Sequence, residues 1–135
     1  MAEHPDHRVL TSEVAGADDT AGQETGARIR YEQALRLGLS GENLRRCLCQ
    51  YGSTLRWLGD YEASLAVLER GLREFPESDS LRVFRALTLH EVGRHDEAIA
   101  GMLTIVTDHA EVTDLGRYST GLADLAGWFV AGRPD

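Results

Sequence analysis

The tract that decides the fold is residues 48–76, LCQYGSTLRWLGDYEASLAVLERGLREFP. On either side of Gly59, apolar and small residues recur at spacings of three and four, which place them on one face of a helix. Glycine readily adopts turn conformations that are costly for other residues, and Pro76 cannot continue a helix. The tract therefore predicts two amphipathic helices joined by a glycine turn.

The same pattern recurs downstream with a period of 34 residues, which superimposes Gly59 on Gly93 and Gly52 on Ala86. A fixed period of this length is typical of repeat proteins, in which each helix pair buries its faces against its neighbours. An eroded copy lies upstream, where Gly22 precedes Gly59 by 37 residues. Its first helix is expected over residues 8–21, with frayed ends because several poor helix formers fall there. Gly38 is expected to end its second helix, and Ser40 to start the next one.

These positions carry a resemblance to a known family. The residues that carry it are Leu48, Tyr51, Gly52, Leu55, Gly59, Asp60, Tyr61, Ser64, Leu68 and Pro76. Their pattern resembles the tetratricopeptide repeat (TPR), and residues 31–42 are also similar to a family of small bacterial TPR proteins, a match that implies no activity. The resemblance implies an all-α superhelix of three helix pairs, with repeats at about 8–41, 45–78 and 79–112.

The C-terminal region predicts a capping helix over residues 113–130. Thr113 and Asp114 offer an N-cap, and an apolar stripe follows at helical spacing, made of Leu115, Tyr118, Leu122, Leu125 and Phe129. The stripe is wide enough for two interpretations. It packs on the third repeat as an intramolecular cap, or part of it forms a dimer contact through Leu122, Leu125, Trp128 and Phe129. The chain is thus predicted to be one TPR domain over residues 8–130, with flexible tails at 1–7 and 131–135.

Composition and charge exclude several classes of function. The net charge is −8 and the sequence has no lysine, which argues against a nucleic-acid partner and removes Schiff-base and P-loop chemistry. No apolar run approaches the ~18 residues of a membrane span, and the first residues lack the features of a secretory signal. Cys47 and Cys49 cannot easily pair when two residues apart on a helix, which favours reduced thiols and a cytoplasmic location.

No catalytic or metal-binding constellation is found in the sequence. His90 and His95 are five residues apart, a spacing that does not place two imidazoles on one helix face. Cys47 and Cys49 lack the spacing of zinc or redox pairs. We therefore predict a protein that is not an enzyme and that has no cofactor and no metal.

Function is then expected on a surface. In the TPR family the first helix of each pair lines a concave groove, and the resemblance assigns nine residues of this chain to it: Cys49, Gln50, Ser53, Arg56, Trp57, Val83, Phe84, Leu87 and His90. The first repeat would add Ser12, Gly16 and Asp19. Alternatively, the apolar side chains of Val83, Phe84 and Leu87 pack against neighbouring helices.

One TPR subtype holds the C-terminal carboxylate of a peptide with Lys, Asn and Arg at set groove positions. Those positions here are Ser12, Gly16, Gln50, Ser80 and Phe84, so the chain is not a carboxylate clamp. The sequence predicts a protein-interaction adaptor that binds a partner protein or peptide in its groove. The alternative is a self-assembling structural protein that dimerises through the C-terminal helix, and the expected state is a monomer or a weak homodimer.

Overall fold

The helix order follows the repeats. The computed structural model describes residues 24–135, with side chains from residue 26 onward. Six α-helices are found there: α1 (Glu24–Arg36), α2 (Gly41–Trp57), α3 (Tyr61–Glu74), α4 (Asp79–Glu91), α5 (His95–Asp108) and α6 (Ser119–Val130). Two 3-10 turns, Ala110–Val112 and Asp114–Tyr118, connect α5 to α6, and the described residues contain no strand. The all-α prediction is confirmed, while the helix expected at 8–21 and the tail at 1–7 lie outside the described residues.

The chain forms two compact units that divide within α4. The first ends at Leu81, and the second is Arg82–Asp135. The described part of the first unit contains α1, α2, α3 and the start of α4, and the second contains the rest of α4, α5, the 3-10 turns and α6. None of the described helices combines the length and the apolar character that crossing a membrane requires.

The period of 34 residues is visible in the backbone hydrogen bonds. After α2, Gly59 has a φ of 84° and the N–H of Asp60 donates to the Leu55 carbonyl at 2.9 Å. After α4, Gly93 has a φ of 82° and the N–H of Arg94 donates to the Leu89 carbonyl, also at 2.9 Å. This is the pattern of a helix that ends in a left-handed residue, a conformation that glycine adopts without steric cost.

Asp60 connects this turn to two helices. Its side chain accepts from the N–H of Ala63 at 3.2 Å and so caps α3, and it also pairs with Arg28 of α1. The hydrogen bond from Arg28, and then the one from the Ala63 N–H, hold the pKa of the Asp60 carboxyl below its usual value of 3.8. The turn therefore carries a carboxylate that the folded chain keeps ionised.

Asp60→Ala is expected to lower the free energy of unfolding by about 1 kcal/mol at neutral pH, because α3 loses its cap. The pKa of Asp60 is lower in the folded state, so its stabilising contribution is complete above the usual pKa and is lost as the pH falls through the lowered value. The difference between wild type and variant should therefore shrink between about pH 5 and pH 2 in urea unfolding. Glu77→Ala, which removes an exposed carboxylate after α3, is the control. A difference that is independent of pH would contradict the assignment.

A close approach of α2 and α3 forms the core of the first unit. Gly52 faces Leu68, and a Cβ built on this glycine would lie 2.4 Å from the Leu68 Cγ. The Ser64 hydroxyl donates to the Gly52 carbonyl at 2.7 Å, and both Ser64 and Leu68 are fully buried. The two helices can come this close only because residue 52 has no side chain.

Two stacked tyrosines join α1 to α2. The rings of Tyr31 and Tyr51 lie 4.9 Å apart at an angle of 12°, and the Tyr31 hydroxyl lies 2.9 Å from the Thr54 Oγ1. The Tyr51 hydroxyl donates to Glu32. Burial, reinforced by the Glu32 carboxylate, raises the pKa of Tyr51 to about 12. Tyr51 therefore keeps its proton and acts as a hydrogen-bond donor at neutral pH.

The second unit differs from the sequence prediction at its C-terminal helix. The α-helix begins at Ser119 and not at Thr113, because Asp114–Tyr118 forms a 3-10 turn. The Thr113 side chain does act as a cap, but of this turn, accepting from the Leu115 N–H at 3.1 Å. A Cβ on Gly116 would lie 3.2 Å from the Ala110 carbonyl oxygen, so the two 3-10 turns pack backbone to backbone. The predicted stripe is consequently interrupted, and Leu115 lies outside α6.

The last residues also differ from the flexible tail predicted at 131–135. Arg133 forms two hydrogen bonds of 2.7 Å with the Asp96 carboxylate at the start of α5. Its guanidinium also lies over the rings of Trp128 and Phe129, and the Trp128 Nε1 donates to the Pro134 carbonyl. These contacts fix the end of α6 against the start of α5.

Candidate protein-interaction surfaces

The predicted groove residues of the first unit lie on α2, and they differ in accessibility. Cys49 is buried, Gln50, Ser53 and Arg56 are half-buried, and Trp57 is 71% exposed. We call Gln50, Ser53, Arg56 and Trp57 the α2 surface. Trp57 is the last residue of α2, directly before the Leu58–Gly59 turn.

Arg56 has an unsatisfied donor. Its Nε is buried, and no group of the described chain accepts a hydrogen bond from it. By contrast, Arg28, Arg45 and Arg82 each pair with a carboxylate. A buried donor without an acceptor costs about 1–3 kcal/mol, and groups of this kind are rare in native structures. The α2 surface therefore combines an exposed aromatic ring with a cationic group whose hydrogen bonding is incomplete.

Cys49 contributes to packing and offers little surface to a partner, since only 7% of it is exposed. Burial raises the pKa of its thiol, an effect that the hydrogen bond with Ser80 and the charge of Arg45 partly oppose. Because the thiolate is the reactive form, the raised pKa leaves Cys49 a poor nucleophile. Cys47 is fully buried, and both cysteines are free thiols.

The second unit carries the other predicted groove residues, on α4. Val83, Phe84 and Leu87 are half-buried, and His90 is exposed. We call these four residues the α4 surface. Their partial burial leaves apolar area available on this helix, and a neighbouring helix does not cover them completely.

His90 and His95 contact each other, contrary to the argument from their spacing. Their Nδ1 atoms lie 2.9 Å apart and their ring centroids 4.7 Å apart. The spacing argument treated both residues as members of one helix, but the turn at Gly93 folds the chain back between α4 and α5. Within residues 24–135, no group of three or more potential ligands is arranged to hold a metal ion.

The predicted dimer contact lies on α6 and is divided between two faces. Leu122 and Phe129 are half-buried, whereas Leu125 and Trp128 are 40% and 39% exposed. Ala126 is the buried residue of this helix. One side of α6 thus packs on the unit, and a second side reaches solvent with large apolar side chains.

A groove in the second unit was not predicted from the sequence. It has a volume of about 550 Å³ and is lined by residues of α4, α5 and α6, among them Arg85, Gly101, Thr104, Ala123, Gly127 and Val130. The small residues Gly101, Ala123 and Gly127 leave this space open. They are the feature of the sequence from which the groove could have been predicted. Arg85 is the one arginine among the described residues that line this groove.

The comparison with protein families decides the classification. The family model described as Tetratrico peptide repeat matches residues 8–125, which is most of the chain. The chain belongs to the tetratricopeptide repeat family. No curated protein matches it significantly. The predicted resemblance and the helical-repeat fold are therefore confirmed.

As a TPR protein, the chain belongs to a family of protein-interaction modules whose fold generally serves as a non-enzymatic scaffold. The polar groups described above are ion pairs, helix caps and interhelical hydrogen bonds. The residues with incomplete contacts are instead an exposed indole, an arginine and partly buried apolar side chains.

Proposed function

We propose that this TPR protein is a non-enzymatic adaptor that binds a segment of a partner protein at the inner surface of its helix pairs. The proposal rests on two adjacent residues at the end of α2, Arg56 and Trp57. One presents a largely exposed indole, and the other a buried N–H without an acceptor. Both residue types are enriched among those that dominate binding energy in protein interfaces.

The energetics favour a partner that covers both groups. A tryptophan side chain can bury about 150–250 Å² of surface, so covering Trp57 contributes a large apolar term. A hydrogen bond from a charged donor contributes about 1.5–3 kcal/mol. The Nε of Arg56 is enclosed in the free chain, so a carboxylate or a carbonyl of the partner would form such a bond with it once the Arg56 side chain turns outward on binding. The partner segment should therefore carry an acceptor beside an apolar side chain.

The α4 surface belongs to the second unit and offers apolar contacts of its own through Val83, Phe84 and Leu87, beside the exposed His90. Because these side chains are half-buried in the free chain, each can gain less buried area than Trp57. We therefore assign them a secondary role. The proposal does not include a carboxylate clamp or nucleic-acid binding, since the net charge is −8. The two free, buried thiols support a reducing compartment, and we place the protein in the cytoplasm.

Trp57→Ala is expected to weaken binding of a partner isolated with the wild-type protein by about 30-fold, which corresponds to a hot-spot loss of ~2 kcal/mol. Arg56→Ala is expected to weaken it by about tenfold. Isothermal titration calorimetry of the purified pair measures both effects. Phe84→Ala should give a smaller loss than Trp57→Ala.

Two control variants remove a large exposed side chain outside the α2 surface. Ile99→Ala removes an exposed apolar side chain from α5, and Arg70→Ala removes an exposed arginine from α3. Both should bind like wild type. Equal affinities of the partner for wild type, Trp57→Ala and Arg56→Ala would show that the partner does not bind at the α2 surface.

A further inference from the structure

The helix α6 has almost no charge on any side. Among its twelve residues, Asp124 is the one charged side chain. A helix that is apolar nearly all round is normally covered on more than one side. Within its unit, α6 is covered on the side of Ala126, while Leu125 and Trp128 reach solvent. The exposed side of α6 therefore carries two large apolar side chains, Leu125 and Trp128, beside the single charge of Asp124.

Four exposed residues mark this side. Gly121, Asp124 and Trp128 lie on one face of α6, at spacings of three and four, and Arg117 lies in the 3-10 turn Asp114–Tyr118 that directly precedes the helix. A Cβ built on Gly121 would meet nothing within 4 Å, so the middle of this face is open and lacks a side chain. With Leu125, these residues form what we call the α6 surface.

The two charges of the α6 surface complement each other across a two-fold axis. Arg117 contacts the ring of its neighbour Tyr118, and neither Arg117 nor Asp124 forms an ion pair within the described residues. If two copies of α6 cross antiparallel near Thr120 and Gly121, Arg117 of each copy faces Asp124 of the other. In a two-fold dimer each such contact occurs twice, because both copies use the same surface.

The apolar residues of this region complement each other in the same arrangement. The antiparallel crossing brings Leu125 and Trp128 of one copy to the 3-10 turns that precede α6 in the other. Those turns expose Leu115 and Val112, the latter at 87%. Gly121 at the crossing point allows the helix axes to approach closely, since interaxial distance depends on the side chains at the contact. The charged residues near the centre of this interface and the apolar residues at its two ends therefore both fit the same antiparallel arrangement.

We propose that a second copy of this chain occupies the α6 surface, in an antiparallel dimer held by reciprocal Arg117–Asp124 ion pairs. The proposal is independent of partner binding at the α2 surface. The dimer is small and partly polar, so its dissociation constant falls in the micromolar range. Leu125 and Trp128 supply its apolar contacts, while Leu122 and Phe129 pack mainly within the unit.

Charge reversal tests this arrangement. Sedimentation equilibrium of the full chain should show a species of twice 14.9 kDa that dissociates on dilution. Asp124→Arg and Arg117→Asp should each raise the dissociation constant at least about tenfold, because like charges then face each other twice. The double variant Arg117→Asp/Asp124→Arg should restore dimerisation. All three changes are at exposed positions, and thermal melting followed by circular dichroism checks that each variant folds.

Mixing the two single variants is the sharpest test. The Asp124→Arg protein then carries arginine at both positions, and the Arg117→Asp protein carries aspartate at both. The heterodimer therefore regains both ion pairs, which each homodimer lacks. Association in the mixture, together with weak association of each variant alone, would support the antiparallel arrangement. A wild type that stays monomeric up to its solubility limit would overturn the proposal. So would single variants that dimerise normally, or a mixture that does not associate.

Discussion

Gly52→Val is expected to lower the free energy of unfolding by about 3 kcal/mol, at the upper end of the range for overpacking a core. A Cβ at position 52 would lie 2.4 Å from the Leu68 Cγ and 2.5 Å from its Cδ2. The Cγ is the branch point of a fully buried side chain, so Leu68 cannot move aside by rotating its end. The helices would have to separate, which would also strain the 2.7 Å hydrogen bond from Ser64 to the Gly52 carbonyl. Urea unfolding followed by circular dichroism measures the loss.

Gly101→Ala provides the matched control, because Gly101 is also a glycine inside a helix. A Cβ there would meet Ala86 at 3.7 Å, an ordinary contact. Its expected effect is a gain of up to about 1 kcal/mol from helix propensity. In addition, Leu68→Ala should reduce the cost of Gly52→Val, because the cavity accommodates the new side chain. A Gly52→Val protein as stable as wild type would mean that α2 and α3 do not approach as described.

Tyr31→Ala is expected to cost about 3–5 kcal/mol, the range for removing a buried aromatic side chain. Tyr31 is fully buried, and its ring stacks on Tyr51 while its hydroxyl contacts the Thr54 Oγ1. Removing it leaves a cavity and takes away a buried contact between α1 and α2. Tyr31→Phe should cost less, about 1–2 kcal/mol, because the ring remains and only the buried hydrogen bond is lost.

Tyr51→Phe is the control for the tyrosine pair. The Tyr51 hydroxyl donates to the exposed Glu32, where water can replace the lost bond, so this change should cost less than Tyr31→Phe. Chemical denaturation of the four proteins under one set of conditions gives the comparison. If Tyr31→Ala cost no more than Tyr51→Phe, the stacked pair would not join the two helices.

The sequence predicted those features of the fold that are encoded in short-range periodicity. The glycines at 59 and 93 marked equivalent turns, and the small residue at 52 marked a close helix approach, because both are local requirements on backbone and side-chain size. The cap at Thr113 was also recognised. The start of α6 was not, since the close contact between Gly116 and the Ala110 carbonyl depends on how two turns pack.

Contacts between distant side chains could not be predicted in this way. Arg133 and Asp96 are 37 residues apart, and no periodicity relates them. His90 and His95 are close in sequence, but the argument from their spacing did not apply the turn that Gly93 predicts between them, and that turn brings the two rings together. A repeat pattern specifies helix faces, whereas ion pairs and ring contacts depend on where the helices end.

The binding residues on α2 and α4 remain a prediction. The α2 and α4 residues could be named because the family resemblance specifies which helix of each pair is the inner one. Their accessibility could not be predicted: Cys49 is buried, and Trp57 is largely exposed. The unsatisfied Nε of Arg56 is likewise a property of its surroundings and has no signature in the sequence.

Site-specific photo-crosslinking from position 57 tests the proposed function most directly. A benzophenone amino acid replaces Trp57 in one protein and Ala66, an exposed residue of α3, in another. Both proteins are irradiated in cells of the source organism. The account predicts a discrete adduct with a partner protein from position 57 and no such adduct from position 66. The same products from both positions, or an adduct from position 66 alone, would contradict it.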